Sequence, residues 1–148
     1  MLDKNDNVWV MCSGSITYNT VDYSIESETS SLLQKNSTDD FTVKSAITIS
    51  KTFHPERFDI SKDKSTLYYG AGYSAPGIYK VSITATSAPT TAFLQGDFYG
   101  FAVNPTSDEI YAFSAPSFTQ SGKFTRYTSD GTKIKEYTVG IGPNGACF

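Results

Sequence analysis

His54 is the single histidine of this 148-residue chain, and Pro55, Glu56 and Arg57 follow it. Zinc sites draw on several Cys, His or carboxylate ligands at recurrent spacings, and none stands at such a spacing from His54. Serines and aspartates are plentiful, but no local motif marks one serine out as a nucleophile. Asp3-Lys4-Asn5-Asp6-Asn7 is rich in oxygen ligands, yet it lacks the calcium-loop pattern with its closing glutamate. Gly70-Ala71-Gly72 and Gly140-Ile141-Gly142 carry the Gly-x-Gly of phosphate loops, but neither leads into a helical pattern, so both read as tight connections between strands. Residue chemistry therefore predicts no catalytic residue, no metal site and no cofactor. What remains is aromatic: Tyr18, Tyr23, Phe53, Tyr73, Phe98, Tyr99 and Phe118 stand in polar stretches, with His54 and Arg57 alongside. Exposed rings beside hydrogen-bonding groups suit flat, amphipathic ligands such as sugars or large planar cofactors.

The elements that position these residues repeat. Phe58-Asp59-Ile60-Ser61, a polar turn, then Thr66-Leu67-Tyr68-Tyr69 is echoed 43 residues later by Phe101-Ala102-Val103-Asn104, a turn, then Glu109-Ile110-Tyr111-Ala112-Phe113. A third copy opens the chain with Leu2-Asp3, a turn, then Asn7-Val8-Trp9-Val10-Met11. Third strands follow at Leu32–Lys35, Gly77–Val81 and Lys123–Tyr127, placing Lys35, Lys80 and Arg126 at equivalent points. Fourth strands follow at Val43–Ile49, Thr91–Leu94 and Ile134–Val139. A period of about 40–50 residues with strand-like runs is the mark of β-propeller blades. The expected fold is all-β, a propeller fragment of three four-stranded blades over residues 1–50, 54–94 and 98–140.

Composition agrees. The apolar fraction is 39% and charge is 18%, but ten Tyr and ten Phe supply buried area. A net charge of −3 offers no basic footprint for nucleic acid or an anionic membrane. Cys12 and Cys147 could form one disulfide, and their spacing leaves pairing open. Residues 12–31 are an insertion between second and third strands, since Trp9 to Tyr68 spans 59 residues against 43 for Tyr68 to Tyr111. Long loops of this kind carry function more often than short ones, so Tyr18 and Tyr23 are expected over the ligand face.

Three blades fall short of a closed ring, which needs about four to eight. The first blade begins at the last residues of its first strand, Met1-Leu2. Gly145-Ala146-Cys147-Phe148 matches Gly100-Phe101-Ala102-Val103 and forms a surplus first strand, so 143–148 is expected to be a closing strand. Either the chain is the C-terminal part of a longer propeller, or two copies join head to tail into six blades.

With the repeats aligned, the chain resembles YncE-like β-propellers of Bacteroidetes surface lipoproteins. The residues that carry the likeness are Phe58 to Tyr69, Phe101-Ala102-Val103-Asn104-Pro105 and Gly140-Ile141-Gly142-Pro143-Asn144-Gly145. The resemblance implies about seven blades, a lipoprotein signal and a place at the cell surface or in the periplasm. It implies binding of a corrinoid or a glycan in nutrient uptake, beside an outer-membrane transporter. Residues 1–6 carry no apolar leader. The expectation is a non-catalytic ligand-binding or scaffold module whose candidate contacts are Tyr18, Tyr23, His54, Arg57, Tyr73, Phe98, Tyr99 and Phe118. The alternatives are an enzyme with an axial site completed by further blades, or a protein-interaction scaffold.

Overall fold

The computed structural model describes residues 1–72 and 76–148, and strands are its only regular elements. The first blade is the antiparallel sheet of β1 (Val8–Cys12), β4 (Ser31–Asn36) and β5 (Val43–Ser50), with β2 (Ile16–Tyr18) and β3 (Ile25–Glu28) paired separately as a hairpin. The second blade is β6 (Arg57–Ile60), β7 (Thr66–Gly70) and β8 (Ile78–Ser82). The third holds all four strands expected of it: β9 (Gly100–Val103), β10 (Ile110–Ser114), β11 (Ser121–Tyr127) and β12 (Lys133–Ile141).

Each blade's first turn is closed by one side chain at its start. Asp3 Oδ1 accepts from the backbone N–H of Asn5 and Asn7, Ser61 Oγ from Ser65 and Thr66, and Asn104 Oδ1 from Thr106 and Ser107. Asp, Ser and Asn are the residues whose short polar side chains satisfy turn backbone in this way. Asp3 also accepts from the Trp9 indole N–H at 2.8 Å, which lets a large ring be buried with its polar edge satisfied. Neighbouring turns and first strands are latched together: Lys4 N–H donates to Lys64 O and Lys62 N–H to Asp108 Oδ1 between turns, and Val103 N–H of β9 donates to Asp59 Oδ2 of β6. Burial pushes the Asp59 carboxyl above its ordinary range, against the pull of the N–H groups of Val103 and Ile60.

The core lies between blades. Alternate side chains of a strand point to opposite faces, and β7 uses both. Leu67 and Tyr69 join Trp9, Leu33 and Ile47 of the first blade. Tyr68 joins Phe101, Val103, Ile110 and Ala112 of the third. Sandwiched in this way, residues 67–70 are all buried, whereas Val10 in β1 of the first blade is 42% exposed. Burial therefore runs unbroken along β7 from Leu67 to Gly70, while in β1 buried Trp9 stands beside exposed Val10.

Two expectations are modified. The fourth strand of the second blade, expected at Thr91–Leu94, shrinks to one bridge between Ile78 and Leu94. Ser87-Ala88-Pro89 lies in the chain that would lead into it, and proline removes a ladder donor. Insertion 12–31 is no plain loop but the β2–β3 hairpin. Residues 143–148 form no strand within this chain. They pack on the third blade, where a Cβ on Gly100 would collide with Asn144 and the Phe148 ring lies 5.1 Å from that of Tyr111.

Candidate functional site

The loops expected to share one end of the blades do so. Ser13 Oγ donates to Pro55 O at 2.6 Å, Gly72 is pressed against Glu56, and Gly72 N–H donates to Phe98 O. A side chain at Gly142 would meet the Phe118 ring. The candidate residues divide on this face. Tyr18 in β2 and Tyr23 in the hairpin turn are 50% and 78% exposed. Asn19 and Asp22 build that turn with their side chains, and Tyr23 sits there at φ 58°. Tyr99 and Phe118 meet edge to face at 5.5 Å, and Phe118 is exposed. Arg57 opens β6 and donates to Glu56 O. Tyr73 lies outside the described residues.

Two candidates have structural work. Phe98 is buried in the core shared by the second and third blades, edge to face with Tyr127. His54 is buried at the base of the hairpin. Its Nδ1 lies 2.5 Å from Ser13 O, and its Nε2 lies 3.5 Å from the Glu28 carboxylate. His54 thereby ties both legs of the hairpin to the connection between the first two blades. A small pocket of about 200 Å³ opens beside Phe98 and Tyr99, lined also by Gly72, Asp97 and Ala115.

A larger cavity, about 520 Å³, opens between the first and second blades. Phe53, Tyr69 and Tyr79 form its aromatic side. Tyr69 and Tyr79 stack at 5.4 Å and 13°, and Phe53 lies 5.1 Å from Tyr79. Thr48, Ser50, Thr52, Ser87 and Thr90 supply hydroxyls, and none of the described lining residues is charged. The Tyr69 hydroxyl is buried and has no hydrogen-bond partner in the structure. Desolvation raises its pKa well above that of a free tyrosine, so it stays a neutral donor. The cavity follows from the withdrawn fourth strand: residues 87–90 stand off β8 and become a wall.

Sequence reading picked out Phe53 but missed Tyr69 and Tyr79, which look like strand residues. The available signal was the run Thr84-Ala85-Thr86-Ser87-Ala88-Pro89-Thr90, a long connection holding a proline just before the short strand expected at Thr91–Leu94. Among the described residues no cluster of His, Cys, Asp or Glu could hold a metal ion. Cys12 and Cys147 are both free and exposed.

Comparison with known proteins fits this architecture. No family model matches the chain, and no curated protein matches it. A quinoprotein alcohol dehydrogenase-like protein from Bacteroides thetaiotaomicron, known from its crystal structure, is similar in fold with a TM-score of 0.68 at 18% identity. The match covers 94% of this chain and 32% of that one, so the chain spans about a third of its neighbour's length. At that identity the likeness concerns fold, and the chain is an all-β protein of propeller type.

Proposed function

We propose that the chain is a non-catalytic binding module of a YncE-like surface propeller, and that its ligand is an uncharged glycan held between the first and second blades. The observation that carries this reading is the cavity of about 520 Å³ with three aromatic rings on one side and a rim of serine and threonine hydroxyls. A sugar ring offers an apolar C–H face to an aromatic ring and hydroxyls to a polar rim. An uncharged wall suits an uncharged ligand, because an ion entering it would lose hydration without gaining a partner. The exposed rings of Tyr18, Tyr23 and Phe118 give the loop end a secondary role, as contacts for an outer-membrane transporter in nutrient uptake.

Isothermal titration of the folded chain against neutral oligosaccharides and against cobalamin tests the reading. Glycan binding weakened at least tenfold by Tyr79→Ala, about 1.4 kcal/mol, and unchanged by Tyr23→Ala, is the expected result. Binding of cobalamin alone, or glycan binding indifferent to Tyr79→Ala, would sink it.

A further inference from the structure

The space left by the withdrawn strand does not end at the aromatic cavity. Pro76, Tyr79 and Thr90 line both that cavity and a second one of about 410 Å³, so the two adjoin. Asp97 lines the second cavity and also the small pocket beside Phe98 and Tyr99. The aromatic cavity and the small pocket share none of their described lining residues. The three spaces therefore form a row. It starts at the junction of the first two blades, passes the outer edge of the second and reaches the loops of the third.

Backbone pairing fixes the middle of the row. Leu94 exchanges both backbone hydrogen bonds with Ile78, at 2.9 and 3.0 Å. Gly77 allows the chain to come this close, since a Cβ there would lie 2.6 Å from Leu94 O and 2.7 Å from Ala92 Cβ. Pinned at that point, the chain carries Thr90 and Thr91 into the lining beside Tyr79, then Gln95 and Asp97, which are exposed. The chemistry changes along the row. The aromatic cavity offers ring faces and hydroxyls. The second cavity offers the Gln95 amide and the Asp97 carboxylate, the one charged group among its described lining residues. A carboxylate only accepts hydrogen bonds and an amide both gives and accepts them, so a unit seated there must carry hydroxyl donors. The same carboxylate repels a negatively charged unit.

We infer, building on the glycan reading above, that the row is one groove for a linear, neutral oligosaccharide. One unit lies on Tyr79 in the aromatic cavity. The next is hydrogen-bonded by Gln95 and Asp97 in the second cavity, and Asp97 is the residue that excludes acidic sugars. The two volumes, about 520 and 410 Å³, each fall in the range of about 300–1,000 Å³ for small-ligand sites, so each can seat a sugar unit of its own. A chain of linked units suits such a row. Once the first unit is held, the second binds at high effective concentration, and affinity rises with length.

The test is NMR titration, which reads weak binding, of the folded chain with gluco-, xylo- and manno-oligosaccharides from monosaccharide to tetrasaccharide. In a series that binds, the trisaccharide should bind at least tenfold more tightly than the monosaccharide. Replacing the second subsite's polar groups together, Gln95→Ala with Asp97→Ala, should remove most of that gain and leave the monosaccharide affinity unchanged. Both residues are exposed, so the variant should keep the wild-type circular dichroism. Tyr79→Ala should weaken every length. An oligosaccharide of the same length containing uronic acid should bind less tightly than the neutral one, and Asp97→Asn should narrow the gap. Affinity independent of length, a length gain that survives the double variant, or equal binding of acidic and neutral chains would overturn the groove and leave the glycan reading in place. No binding in any series would remove both.

Discussion

The second and third blades are built on one repeat and end differently. In the third, Thr128 Oγ1 and Asp130 close a tight turn around Gly131, and β12 then runs antiparallel to β11 over nine residues. In the second, the chain leaves β8, turns at Ser82–Ala85 and pairs with the sheet again only through the Ile78–Leu94 bridge. The difference shows what a blade can spare. The first three strands carry most of the inter-blade core, to which Ile47 of β5 and Leu94 also contribute, and the rest of the outer strand is an edge that can be withdrawn. Withdrawal opens the cavity above Tyr69 and Tyr79, so the blade with the weaker edge holds the better site.

The largest effect that could break this comparison sits at the surviving bridge. Ile78 is fully buried and alone in β8 is bridged to Leu94. Ile78→Ala should cost about 2–5 kcal/mol, the range for a buried large-to-small change, as measured by urea unfolding. A loss of well under 1 kcal/mol would mean that the bridge and the core behind it are dispensable, and that the inner strands do not bear the stability assigned to them.

A smaller effect belongs to the third blade's turn. Gly131 has φ +92°, and a Cβ there would come within 3.0 Å of the Phe93 ring. Gly131→Ala should cost about 1 kcal/mol or more, because a side chain strains the left-handed backbone. Pro89→Ala, in the looser wall of the second blade, should change stability by less than about 0.5 kcal/mol. Equal effects in the same unfolding series would erase the distinction between a tight and a withdrawn edge.

The smallest effect is a pH dependence that the third blade has at its outer edge. Glu136 of β12 accepts from Lys123 at 2.6 Å and from Lys133 at 2.8 Å, and these hydrogen bonds hold its carboxyl down to about 2. A carboxyl depressed in the folded state contributes stability above its unfolded pKa and loses it as pH falls through the folded value. The wild type should therefore lose slightly more stability than Glu136→Gln between pH 5 and pH 2. The pair is exposed, so the difference should be small and should fade with salt. Parallel acid titrations of the melting temperature would expose an error in the sign.

The blades were legible before any coordinates because a strand records its environment in its alternation, and repeats record it several times. The turn sequences after Leu2, Ile60 and Val103 announce themselves through Asp3, Ser61 and Asn104, whose side chains can satisfy a turn locally. The candidate site was legible only in part. The exposure of Tyr18, Tyr23 and Phe118 follows from polar surroundings that any reader of the chain can see. Phe98 and His54 sit in equally polar stretches and are buried, because neighbours distant in sequence, Tyr127 and Ser13, cover them.

The sequence by itself determined an all-β chain, the period of its blades, the insertion at 12–31 and the equivalence of Trp9, Tyr68 and Tyr111. These are properties of local pattern, where backbone preference and side-chain alternation act within a few residues. Only the tertiary structure decided that the last strand of the second blade draws back, that Tyr69 and Tyr79 stack beneath the space it leaves, and that Tyr68 is buried between the second and third blades. Those outcomes depend on which surfaces meet across tens of residues, and packing between blades is a sum over partners that no single segment contains.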